Sequence, residues 1–188
     1  MIPQAFLSLA TAFGLSTAAG LNAYIPLLVV ALLARLTPLV TLSEPYDALS
    51  SWWVIGTLTV LLVVEILVDK VPAADTINDV IHTFIRPAAG AILFAATTKT
   101  IGLHPILAAI LGVILAGGVH AVKAGGRPVV AATTAGMGNP IVSTIEDIIS
   151  FATSVLAIVA PYLVVAIILI ALMLFTWWYV RRRQRRAH

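Results

Sequence analysis

Apolar residues run along this chain in long blocks, cut by short polar or Pro/Gly-rich interruptions. The first block, AFLSLATAFGLSTAAGLNAYIPLLVVALLARL (5–36), is too long for one straight crossing and is interrupted at Gly20-Leu21-Asn22 and at Pro26. It predicts a tilted or broken helix, or a tight helical hairpin. A polar stretch, TPLVTLSEPYDALSS (37–51), carries Glu44 and Asp47 and no basic residue. Trp52 and Trp53 then mark entry to a second span over about 53–68, which ends at Asp69-Lys70, since Trp concentrates at membrane–water interfaces. AAGAILFAATT (88–98) is half a span, and HPILAAILGVILAGGV (104–119) is a longer block rich in small residues. Together they predict a short hairpin or two closely packed helices, because small residues let helix backbones approach in lipid. HAVKAGGRPVVAATTAGMGNP (120–140) ends in a helix-breaking Asn-Pro, and IVSTIEDIISFATSVLAIVA (141–160) reads as a helix with acids in its first third. Pro161 opens the last apolar block, which ends in Trp177-Trp178-Tyr179 and RRRQRR.

Such blocks predict an all-α polytopic membrane protein. It would have four to six spans of ~20 residues each, some broken or re-entrant. One transmembrane domain (1–180) and a basic cytoplasmic tail (181–188) account for the chain. Composition sharpens this picture: hydrophobic residues make up 61% and charged residues 10%, with a mean hydropathy of +1.07. Soluble domains carry about 25% charged residues. The N-terminus lacks the basic start of a signal peptide and is expected to stay as the first helix. Five of the eleven basic residues lie in RRRQRR, so the positive balance reports a topology signal, not a nucleic-acid surface. The positive-inside rule predicts a multi-pass protein of the cell (inner) membrane with a cytoplasmic C-terminus. The 37–51 loop then lies outside, and Lys70 to Arg86 lie inside. With no Cys, a disulfide or thiolate metal site is ruled out.

The chemistry concentrates in EILVDKVPAADTINDVIHTFIRP (65–87), which holds four carboxylates, a Lys, a His and an Arg. If 73–86 is helical, Asp75, Asp79, His82 and Arg86 share one face, stepping by four, three and four. Glu65 and Asp69 are likewise four apart. The stripe either faces water as an amphipathic helix or turns inward. Turned inward, it would line a polar centre with Glu65, Asp69, Glu146 and Asp147. Carboxylates at membrane depth are costly and usually face a bundle interior or wet pathway. Away from the loop, Arg35 and the tail, six acids (Glu65, Asp69, Asp75, Asp79, Glu146, Asp147) meet Lys70, Arg86, Lys99, Lys123 and Arg127. That near balance predicts ion pairs, and His82 and His120 can titrate near neutral pH within them. Asp79-x-x-His82 is a single carboxylate/His pair, whereas di-metal bundles use two. No metal or cofactor is expected. His120, Lys123, Gly125, Gly126 and Arg127 offer a cationic turn able to meet an anion, but without a P-loop pattern. Two echoes predict a weak internal repeat. STAAGLNAY (16–24) matches TTAGMGNPI (133–141), aligning Asn22 with Asn139, and His82/Arg86-Pro87 matches His120/Arg127-Pro128.

GLNAYIPLL (20–28), the DK-P--D---D--HT--RP pattern from Asp69, HAVKAGGRP (120–128) and the NP-----ED pattern from Asn139 resemble the domain-of-unknown-function 4126 family. This is a family of small, mostly bacterial integral membrane proteins. The resemblance covers about residues 10–165. It implies a membrane protein whose charged motifs form one unit, and it implies no substrate. It also implies a basic residue where this chain has Asn22.

The functional expectation is a transporter or channel-like protein for an ion or small solute. Its pathway residues would be Glu65, Asp69, Asp75, Asp79, His82, Arg86, His120, Lys123, Arg127, Asn139, Glu146 and Asp147. A non-catalytic subunit of a larger membrane complex is the alternative. A lipid-phosphate enzyme ranks last, because no nucleophile–base pair is visible. The partners expected are the lipid bilayer and either copies of the chain or other membrane subunits.

Overall fold

A computed structural model describes residues 2–69, 72–134 and 138–161, together with scattered positions from 163 to 181. Side chains are described from Gln4, with those of residues 70–79 and Ala131 left out. The expectations for Lys70, Asp75, Asp79 and the tail beyond Arg181 therefore lie outside the described side chains.

Six α-helices have ends among the described residues: α1 (Ile2–Leu21), α2 (Tyr24–Leu36), α3 (Trp52–Val68), α4 (Pro72–Thr98), α5 (Pro105–Thr134) and α6 (Asn139–Val159). No strand occurs among the described residues. Four helical stretches, Gln4–Leu21, Val80–Ile101, Pro105–Thr134 and Asn139–Val159, are long and apolar enough to cross a membrane. α2 and α3, at 13 and 17 residues, are shorter. At 1.5 Å per residue neither reaches the ~30 Å of a hydrocarbon core. The first block is a hairpin: α2 folds back beside α1, so that Leu15 and Val30 line the same cavity.

Two expectations need correction. The block 88–98 is not a half-span, nor is 120–134 a loop. α4 and α5 run continuously through Pro87 and Pro128. Proline removes one intrahelical donor, but packing in a bundle tolerates the freed carbonyl. The Pro87 ring lies toward Gly117 of α5, where an added Cβ would stand 3.6 Å from Pro87 Cγ.

The outside of the bundle is hydrocarbon and part of the inside is polar. α5 exposes Ile106, Leu107, Ile110 and Ile114, and α6 exposes Ile141, Ile145, Ile148 and Phe151. Apolar surface on this scale suits lipid, not water. The buried set includes Leu15, Val30, Leu93 and Phe94, but also Ser16, Ser150, Glu65, Asp69, His82 and Arg86. Hydroxyls tie helix to helix. Ser16 Oγ donates to the Gly90 carbonyl at 3.0 Å, Ser150 Oγ to that of Ala18 at 3.0 Å, and Thr11 Oγ1 to that of Ala157 at 2.8 Å.

α4 and α5 touch backbone to backbone. A Cβ added at Gly90 would lie 2.5 Å from Ala116 Cβ and 2.6 Å from the Gly112 carbonyl oxygen. The helices must therefore separate to admit one methyl group. Gly90→Ala is expected to lower stability by about 1–3 kcal/mol, the usual range for overpacking. Gly118→Ala, on α5 with open space around it, is expected to raise stability by about 0.5–1 kcal/mol. Thermal unfolding in detergent, followed by helical circular dichroism, checks both signs.

Candidate functional site

The end of α1, the residue that follows α3 and the start of α6 meet at one end of the bundle: Asn22 contacts Asp147, Lys123 of α5 reaches the Leu21 carbonyl, and Ser143 contacts Asp69. The charged motifs therefore meet there although they are far apart in sequence. Glu65 and Asp69 arrive at the end of α3, while His82 and Arg86 lie early in α4. His120, Lys123 and Arg127 come from the second half of α5, and Ser143, Glu146 and Asp147 from the start of α6. Helical spacing explains the convergence. Glu65 precedes Asp69 by four, His82 precedes Arg86 by four, and Lys123 precedes Arg127 by four, so each pair shares a face.

Arg86 is the centre. It is 0% exposed, donates from Nη2 to Glu65 Oε1 at 3.1 Å, and places Nη1 2.8 Å from His120 Nδ1. A guanidinium only donates. His120 Nδ1 must therefore accept, which puts the ring proton on Nε2. Nε2 stands 3.1 Å from Thr83 Oγ1 and donates to it. In this arrangement His120 is the neutral tautomer, fixed by its two neighbours.

Beside that chain is a second group. His82 Nδ1 stands 3.4 Å from Glu65 Oε1, and the His82 ring meets Tyr24 edge-on, with centroids 5.7 Å apart. Glu65 Oε2 is buried and makes no hydrogen bond among the described residues. Lys123 Nζ lies 2.8 Å from Glu146 Oε2 and donates to the Leu21 carbonyl at 2.9 Å. That carbonyl ends α1, where the helix dipole favours a cation. Arg127 Nη2 bridges Asp69 Oδ2 at 3.6 Å and Glu146 Oε2 at 3.5 Å, and Ser143 Oγ donates to Asp69 Oδ2 at 2.6 Å.

Thus Glu65, Asp69 and Glu146 face Arg86, Lys123 and Arg127, sign against sign. The 82–86 part of the stripe turns inward, and His82 and Arg86 are both buried. Asp147 also has a partner at the α1–α2 turn. Its Oδ1 accepts from Asn22 Nδ2 at 2.9 Å. Asn22 Oδ1 in turn accepts from the Tyr24 and Ile25 amides at 3.0 and 3.1 Å, capping the start of α2. Asn139 is half-buried at the first residue of α6, so both echoed asparagines lie at helix–helix breaks on the same end. Among the described residues, no three His, Asp or Glu side chains gather as a metal site requires.

The α1–α2 turn depends on Asn22. Asn22→Ala removes the cap and the Asp147 contact, and is expected to cost about 1–2 kcal/mol in thermal unfolding. Asn22→Asp keeps the capping oxygen but sets a carboxylate against Asp147, so it is expected to be no better.

Tyr24, Thr83, Ser143 and the Leu21 carbonyl join the site without having been singled out as site residues from sequence. Ser143 could have been found, since it lies four residues before Asp147 and three before Glu146 on the same helix. The Leu21 carbonyl has no side-chain signature at all.

A family model described as "Domain of unknown function (DUF4126)" matches residues 9–182, a stretch that contains every one of these charged groups. No curated protein and no solved structure matches the chain. Motifs, span and helical architecture agree, and the chain belongs to the DUF4126 family.

Proposed function

We propose that this chain is a small proton- or cation-linked membrane transporter, with Glu65 and His82 as the exchangeable pair. One juxtaposition carries the proposal. A cleft of about 380 Å³ enters from the end opposite the charged junctions and reaches Leu15 and Val30, both 0% exposed. From Leu15 to Leu21, whose carbonyl receives Lys123, is six residues of α1, or about 9 Å of rise. Less than two helical turns of α1 separate an open cleft from a buried polar centre. That thin barrier suits a carrier closed on one side. Glu65 Oε2, buried without a hydrogen bond, leaves a lone pair for a proton or small cation. Intramembrane carboxylates are typical of such relays.

The proposed setting is the cell inner membrane. The last apolar block, read as a crossing, returns the chain to the end holding Arg86, Lys123 and Arg127. RRRQRR then joins them on the cytoplasmic side under the positive-inside rule. Trp52 and Trp53, both exposed, mark the outer interface, with the Arg35 guanidinium 5.6 Å from the Trp52 ring centre.

The sign-for-sign pairing of Glu65, Asp69 and Glu146 with Arg86, Lys123 and Arg127 would equally suit a structural subunit of a larger complex. The purified chain, alone in liposomes with a trapped pH indicator, distinguishes the two. The transport reading expects an imposed pH gradient to collapse faster than in empty vesicles. Inert vesicles, together with stoichiometric foreign chains in a gentle extract, would support the subunit.

A further inference from the structure

The cleft between α1, α2, α4 and α6 has a chemistry distinct from the centre beneath it. None of the described side chains that line it is ionisable. Its walls alternate hydrocarbon, such as Leu7 and Ile158, with hydroxyls. Two of those hydroxyls donate to helix carbonyls: Thr11 Oγ1 to Ala157 at 2.8 Å and Thr97 Oγ1 to Leu93 at 2.7 Å. Their oxygens stay available as acceptors. Ser8, Thr41 and Thr100 make no side-chain hydrogen bond among the described residues, so each still offers a donor as well. The volume, about 380 Å³, lies within the range of small-molecule sites.

We infer that this cleft binds the transported solute, and that the solute is uncharged and amphiphilic, with an apolar body and at least one hydroxyl- or amide-like group. An ion entering here would shed water with no opposite charge among the described lining residues to receive it, which is strongly unfavourable. A neutral molecule loses apolar contact with water against the leucine and isoleucine walls and exchanges its polar hydrogen bonds with the threonines. Charge enters the mechanism only at the buried centre, where the coupling ion is handled. This assignment deepens the transport proposal and rests on it for the word "transported". The binding itself is separately testable.

The native chain has no Cys, so one introduced thiol reports one place. Ser8→Cys, in lipid nanodiscs, is reacted with a membrane-impermeant maleimide. Hexane-1,2-diol, hexanoate or hexylammonium is present at matched concentrations, up to roughly tens of millimolar, well above a millimolar Kd. Thr100→Cys, in the short turn that follows α4, gives the same readout if Ser8→Cys fails to fold. Trp53→Cys, 88% exposed and outside the cleft, reports any general effect on lipid or reagent. The diol is expected to slow labelling in the cleft by roughly threefold or more, as occupancy requires at twice Kd. It should leave Trp53→Cys unchanged, and the charged analogues should do little at either place. Equal protection by a charged analogue, or none by the diol, overturns the assignment. Protection by the diol in a protein that moves no protons would retain the binding site and remove the transport proposal. Proton movement without protection would do the reverse.

Discussion

Replacing Arg86 with methionine is expected to lower the stability of the folded chain by about 3–5 kcal/mol, the range for removing one partner of a buried ion pair. Methionine keeps the length and fills the space, so the loss is electrostatic and not a cavity. Without the guanidinium, Glu65 stays 2% exposed with no cation in contact, and His120 Nδ1 loses its donor. Adding Glu65→Gln to Arg86→Met removes the stranded carboxylate and should recover part of the loss, giving a coupling energy of about 1–3 kcal/mol. Equilibrium unfolding of the four species in mixed micelles measures it. A loss below about 1 kcal/mol for Arg86→Met would mean that the pair is solvated in the membrane, as exposed pairs are. The description of a buried centre would then be wrong.

Glu65→Gln alone is the second large effect, and it falls on function more than on stability. Glutamine keeps an oxygen for Arg86 Nη2, so the hydrogen bond at 3.1 Å can re-form. The stability cost is expected to be about 1–2 kcal/mol, that of weakening one charge-assisted bond. The amide, however, cannot take up or release a proton. It also presents no carboxylate to His82 Nδ1, which now lies 3.4 Å from Oε1. Proton movement should fall to the leak of empty vesicles while the protein stays folded. Arg86→Met would lose activity by losing the fold, so the pair of variants separates chemistry from architecture.

The sequence made some of this legible, for identifiable reasons. Helical spacing is local, so His82 and Arg86, or Glu65 and Asp69, could be placed on shared faces before any tertiary contact was known. The near balance of inner charges predicted pairing, and among the described residues Glu65, Asp69 and Glu146 pair with Arg86, Lys123 and Arg127. Which acid meets which cation was not legible, because that depends on how α3, α5 and α6 pack. Arg127 meets both Asp69 and Glu146 across three helices. The reach of α4 and α5 through Pro87 and Pro128 depends on packing in the same way. Proline's lost donor is read from sequence, but the neighbours that let α4 and α5 run on are tertiary. The cleft left no trace at all, since scattered Ser and Thr in apolar helices look like ordinary helix-to-carbonyl bonding, as Thr11 and Thr97 partly are. Asn22 stands where the family resemblance implied a base. The cation near that turn comes from Lys123, a hundred residues away in sequence, through the Leu21 carbonyl.

The most direct measurement is the rate of pH-gradient collapse, with hexane-1,2-diol on both faces of the membrane as the probe solute, in liposomes holding the wild-type chain or Glu65→Gln, incorporated in equal amount and verified as folded by helical circular dichroism. The wild-type chain should dissipate the gradient faster than empty vesicles, and Glu65→Gln should match the empty vesicles. Equal rates for the two proteins, whether fast or slow, would contradict Glu65 as the exchangeable group at the centre of this membrane protein.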